Sequence, residues 1–226
     1  MKNLRRTRKA SRETLGLTKG EFAVLRRLRT PEKIQAFLYS LRQNFELKGE
    51  TCNSVRTVLK ERRAHCIEGA ITAACALWIH GEPPLLLDLQ AVHDFDHVVA
   101  LFRRNGRWGA ISKTNGFGLR WRDPVYKTLR ELAMSYVHEY TNKTEHKSLR
   151  TYSVPFDLRR LQPSEWVTPK DAWGLVDYLE AVRHFNLMQP RHVKSLVRRD
   201  PFERVVGALL QYRKPKARKK TKKKRR

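Results

Sequence analysis

Residues 54–89 read SVRTVLKERRAHCIEGAITAACALWIHGEPPLLLDL. Ser54 is a capping residue, and Val55, Val58 and Leu59 recur at helical spacing, so a short helix is expected from 54 to about 63. A second helix is expected over 66–80, closed by Gly81. Its small residues, Gly69, Ala70, Ala73, Ala74 and Ala76, let neighbouring backbone approach closely. After Pro83-Pro84, LLLDLQ (85–90) reads as a strand.

Two further strands follow, HVVALFRR (97–104) and RWGAIS (107–112), joined by Asn105-Gly106, a strong two-residue hairpin signal. That turn pairs Arg104 with Arg107 and His97 with Thr114. Side chains alternate along a strand, so His97 shares a face with Val99, Leu101, Trp108, Ala110 and Ser112. Ser112 then lies diagonal to His97, within reach of a polar contact, and Asn115 falls on the opposite face. Around this centre, four dipeptides place a capping residue before proline: Thr30-Pro31, Asp123-Pro124, Thr168-Pro169 and Asp200-Pro201. Each is expected to open a helix with an apolar core-facing stripe. The first carries Ile34, Phe37, Leu38, Leu41 and Phe45 and stops by Gly49; the last carries Phe202, Val205, Val206, Leu209 and Leu210. The expected fold class is α+β, with N-terminal helices packed on a small antiparallel sheet and additional C-terminal helices.

The chain has 226 residues, 40% apolar, enough for one domain with a proper core. No apolar run is long enough to cross a membrane, and the basic N-terminus lacks the apolar segment of a secretory signal. A cytoplasmic protein is expected, associated with a nucleoid or ribosome, or nuclear if the source is eukaryotic. Net charge is +26, from 48 Lys and Arg against 22 Asp and Glu. The segment RKPKARKKTKKKRR (213–226) carries 11 cations and no anion, and residues 13–212 still hold +9. Such a chain is attracted to polyanions through counterion release, so nucleic acid or a ribonucleoprotein is an expected partner. Lys219, Lys220, Lys222, Lys223, Lys224, Arg225 and Arg226 are candidate contacts in a tail expected to stay disordered.

Cys52, Cys66 and Cys75 form an odd set without a CxxC pair, which excludes a disulfide framework or zinc ribbon. Cys52 and Cys75 read as small buried hydrophobes. Cys66 differs, because it begins a helix. Free N–H groups and the positive helix end stabilise a thiolate there, and Arg62, Arg63 and His65 add positive potential. His97 opens a strand 31 residues later. The histidines show no HExxH pattern, so neither metal nor cofactor is expected.

These residues resemble the core of transglutaminase-like proteins, a superfamily with a papain-like cysteine fold. The similarity lies in residues 54–89 and in DHVVALFRRNGRWGAIS (96–112), within a span of about 50–115. The resemblance implies a thiolate that attacks a carboxamide or peptide carbonyl of a protein or peptide substrate. The resulting thioester then passes to an amine or to water. It assigns Cys66 as nucleophile and His97 as general base. The family usually has Asp four residues after the third-strand Trp, where this chain has Ser112; Ser112 is the candidate third member, with Asn115 as the alternative. The Cys66 N–H is a candidate oxyanion donor, with Asn53 or the Trp78 indole as a second.

Arg120, Trp121 and Arg122, within GFGLRWRDPVY (116–126), suit either base stacking and phosphate contact or a strand with solvated arginines. The expected organisation is a basic arm over 1–20, a domain over 21–212 with a helical extension from 123, and the tail over 213–226. Two functions compete: a cysteine-dependent amidase, peptidase or acyltransferase, and an inactive scaffold of the same fold that binds nucleic acid through its basic arms.

Overall fold

The computed structural model describes residues 7–215. Three helices come first: α1 (Arg12–Leu15), α2 (Lys19–Arg26) and α3 (Pro31–Ser40). Strand β1 (Arg42–Gln43), α4 (Val55–Glu61), β2 (Arg63–Ala64) and α5 (Cys66–Ile79) lead into the sheet. Its strands are β3 (Leu85–Ala91), β4 (His97–Arg104), β5 (Arg107–Ile111) and β6 (Arg122–Tyr126). After α6 (Leu129–Met134) come β7 (Leu149–Ser153), β8 (Phe156–Asp157), a 3-10 turn (Leu158–Arg160), α7 (Pro163–Trp166), α8 (Gly174–Ala181), β9 (His184–Asn186), α9 (Pro190–Lys194) and α10 (Pro201–Gly207). The result is a mixed α+β fold built on a seven-stranded antiparallel sheet, ordered β6-β5-β4-β3-β7-β9, with β8 also paired to β3. No helix among the described residues is long and apolar enough to cross a membrane.

Alternation along β3 and β4 divides the core in two. Leu86, Val98, Ala100, Phe102 and Ile111 pack against α5 and the N-terminal helices. Leu85, Leu87, Leu89, Val99, Leu101 and Ala110 meet Leu132, Tyr136 and Tyr140 on the other face. Helix α5 lies close to the sheet because its small residues allow it. A Cβ added at Gly69 would sit 2.4 Å from Lys113 Cβ. The β4–β5 hairpin has the expected register, from Arg104↔Arg107 to Ala100↔Ile111, across a turn with positive φ at Asn105 and Gly106. The ladder stops before the expected His97–Thr114 pair. Gln35 of α3 takes over at Ser112, accepting from its N–H at 2.9 Å and donating to its carbonyl at 2.7 Å.

Several expectations change. The Thr30-Pro31 helix ends at Ser40, and β1 follows. Asp123-Pro124 lies within β6, an edge strand, where a missing N–H breaks no ladder bond; Thr128 caps α6 instead. Thr168-Pro169 forms a bend rather than a helix start. The carbonyls of Pro169 and Lys170 accept hydrogen bonds from Ser54 and Thr57, at the start of α4. Asp200 does cap α10, but Phe202, Val205, Leu209 and Leu210 are exposed, so that stripe is no core face. Residues 123–212 supply most of β6 and all of β7, β8 and β9 along with helices, which makes the sheet larger than expected. The described part of the expected N-terminal arm is packed: Leu15 and Leu17 are buried, and Ala10 N–H donates to Trp78 O at 3.2 Å.

Candidate active site

Cys66 is the first residue of α5, as its position before a small-residue helix suggests. Its approach is held by the parallel β1–β2 pair, in which Gln43 registers with Ala64. Asn44 N–H also donates to Ala64 O at 3.1 Å. One turn into α5, Glu68 is fully buried and acts as a hub. It accepts from His65 N–H at 2.9 Å, Asn53 N–H at 2.9 Å, Thr51 Oγ1 at 2.9 Å and Asn44 Nδ2 at 3.1 Å. Burial works against its charge, but hydrogen bonding and the His65 charge outweigh that and lower its pKa to about 2.

His65 links this hub to the thiol. Its Nε2 donates to Thr51 O at 2.8 Å and lies 3.3 Å from Glu68 Oε1, while its Nδ1 is 3.8 Å from Cys66 Sγ. Burial disfavours the imidazolium, but the Cys66 and Glu68 contacts overcome that and raise its pKa to about 11. Burial likewise pushes the Cys66 thiol up, and hydrogen bonds and charge from His65 and His97 bring it well below the ordinary thiol range. The other two thiols go the opposite way. Cys52 and Cys75 are fully buried; burial raises Cys52 to about 12, with Glu68 adding to the shift, and raises Cys75 as well. Only Cys66 of the three has a nucleophile's surroundings.

His97 begins β4, and the preceding carbonyl, Asp96 O, is 3.9 Å from Cys66 Sγ. His97 Nε2 lies 2.8 Å from Ser112 Oγ. Ser112 Oγ–H donates to Leu119 O at 2.5 Å, so the hydroxyl accepts from Nε2–H. This network places a proton on Nε2, so exchange of a second ring proton falls to Nδ1. Leu119 is held at φ 58°, its N–H bonded to Glu139 Oε2 at 2.8 Å. Ser112 therefore meets His97 as the face assignment expects. The alternative third member does not: Asn115 is a clamp for the C-terminal segment, its amide bonded at 2.9 Å to both Tyr212 O and Tyr212 N–H.

Other residues singled out from the sequence have structural partners. Arg120 stacks on Tyr39 with 4.4 Å to the ring centroid, and Arg122 stacks on Tyr136 at 4.0 Å while pairing with Glu139 at 2.7 Å. Trp121 stacks on Phe102 at 4.9 Å and donates its indole N–H to Asp123. The three are engaged internally and do not form a free stacking platform. Trp78 lies at the far end of α5 and donates to Arg8 O, so it is no oxyanion donor. Asn53 donates its backbone N–H to Glu68. In the loop that leads to His97, Asp94 accepts from Phe95 N–H and Ser148, and Asp96 from Ala91 N–H. Lys219, Lys220, Lys222, Lys223, Lys224, Arg225 and Arg226 lie outside the described residues.

Sequence reasoning treated His65 only as local positive charge and passed over Glu68. The available signal was H-C-x-E at the helix start, where residues three apart meet on one turn. Cys66, His65 and His97 open into a cleft of about 590 Å³. Among the described residues no group of three His, Cys, Asp or Glu is placed to hold a metal ion. The site therefore offers a thiol whose ionisation its neighbours favour, an imidazole whose second nitrogen can exchange a proton, and helix-start N–H groups without intrahelical acceptors. No protein-family model matches the chain, and no curated protein matches it.

Proposed function

We propose that this chain is a thiol enzyme of transglutaminase type with a papain-like core, acting on a carboxamide or peptide bond of a protein or peptide. Cys66 Sγ attacks the carbonyl carbon, and the oxyanion turns toward the α5 N-terminus, where the Cys66 N–H is the donor. His97 Nδ1 holds the proton lost by the thiol and delivers it to the departing amine nitrogen as the C–N bond breaks. The thioester is then opened by water or an amine. His97 takes the proton of that nucleophile and Cys66 departs as thiolate. The His65 imidazolium, backed by Glu68, supplies fixed positive charge to the sulfur throughout. Ser112 orients the His97 ring without adding a counter-charge.

The observation that carries this proposal is the contrast among three thiols in one chain: Cys66 is lowered by two imidazoles at an open cleft, while Cys52 and Cys75 are buried and raised. The inactive-scaffold alternative draws on Ser112 in place of a carboxylate, yet it loses Arg120, Trp121 and Arg122 as free contacts. Incubation with p-nitrophenyl acetate followed by peptide mapping separates the two. Acylation is expected at Cys66 alone, absent in Cys66→Ala and slowed about 100-fold in His97→Ala. Acylation of Cys66 no faster than that of a free small thiol would leave the scaffold as the better account.

A further inference from the structure

The cleft has a charge opposite to that of the rest of the molecule. Among the described residues seven carboxylates line it, against two Lys and Arg. Both cations face backbone carbonyls: Lys113 Nζ is 3.0 Å from Leu41 O, and Arg199 Nη2 is 2.8 Å from Glu139 O. Four of the acids, Glu50, Asp94, Asp96 and Glu180, form no ion pair with Lys, Arg or His among the described residues. Three aromatic side chains on the same walls stand out to solvent, Phe95 at 83%, Phe117 at 54% and Trp173 at 43% exposure. Unpaired carboxylates beside exposed rings match a Lys or Arg side chain, which takes charge from the first and cation–π contact from the second.

We infer that the thiol cleft selects a cationic peptide, one bearing Lys or Arg next to the bond that reacts, an inference that rests on Cys66 being the nucleophile. The net charge of +26 repels such a substrate at long range, so the acidic walls have to act locally, where a cleft concentrates its field.

Charged thiol reagents read that local field directly. Cys66 in the full-length protein is treated at low salt with a trimethylammonium-ethyl and a sulfonatoethyl methanethiosulfonate, each rate being divided by that for a free small thiol. The cationic reagent is expected to be favoured about tenfold, and the preference to shrink as salt rises. Glu50→Gln with Glu180→Gln, at two cleft carboxylates that no hydrogen bond or ion pair ties to Cys66, His65 or His97, is expected to cut the preference roughly threefold. A hexalysine peptide should also slow alkylation of Cys66 by neutral iodoacetamide, and hexaglutamate should not. Equal rates, or a preference for the anionic reagent as the net charge alone dictates, overturn the inference while leaving the nucleophile intact. A Cys66 that is slow even toward iodoacetamide removes the underlying function instead.

Discussion

Cys52, Cys66 and Cys75 are the same side chain in three surroundings, and the reactivity proposed for Cys66 follows from its neighbours. Glu68 is the least replaceable of these, because it is buried, accepts from four groups and supports the His65 imidazolium. Glu68→Gln is expected to cost about 3 kcal/mol in urea unfolding, since it leaves a buried cation without its partner. It should also move Cys66 back toward ordinary thiol behaviour. Glu68 is lowered in the fold, so its contribution is complete above the ordinary 4.5 and lost as pH falls toward about 2. His65 is raised, so its contribution is complete below 6.5 and lost as pH rises through about 11. Unfolding free energy measured across pH should fall at both ends, with the acid limb flattened in Glu68→Gln. Ser112→Ala removes one neutral hydrogen bond that orients His97. Acylation is expected to slow about five- to tenfold, from roughly 1 kcal/mol, with the Cys66 pKa unchanged.

Helix α5 and the β4–β5 hairpin position these groups, and both were legible in the sequence for physical reasons. The helix announces itself by a small-residue face and Gly81 at its end; the hairpin announces itself by Asn105-Gly106, which only one turn type accommodates well. The cap-plus-proline signals were less decisive. A proline lacking its N–H suits an edge strand at Asp123-Pro124 and a bend at Thr168-Pro169 as well as a helix start. Tertiary neighbours make that choice, and one sequence does not display them. The same holds for Gln35, whose clamp on Ser112 crosses 77 positions and leaves no local trace. Close approach of α5 makes a sharp test. Gly69→Ala sets a Cβ 2.4 Å from Lys113 Cβ and is expected to destabilise by about 1–3 kcal/mol, read as a lower Tm.

At the scale of the whole molecule, two opposed fields share one chain. The body carries +9 over residues 13–212, the segment 213–226 adds 11 cations, and the thiol cleft is lined with acids. Net charge was plain from composition, whereas the acids around Cys66 come from distant segments, at Glu50, Asp94 and Glu180, and only folding gathers them. If residues 213–226 provide the main polyanion contact, their deletion should weaken RNA binding and make its salt dependence shallower. On a single strand, the slope of log K against log salt changes by about 0.7 for each phosphate that the shortened protein no longer neutralises. Catalysis on small esters should be unaffected by that deletion.

The central claim is a thiolate at Cys66 near neutral pH, and the rate of iodoacetamide alkylation at each cysteine across pH tests it most directly. The predicted result is rapid labelling of Cys66 that has already levelled off well below pH 9, with Cys52 and Cys75 unlabelled until the protein unfolds. A Cys66 rate that climbs about tenfold per pH unit all the way to pH 9, as an ordinary thiol does, would contradict it.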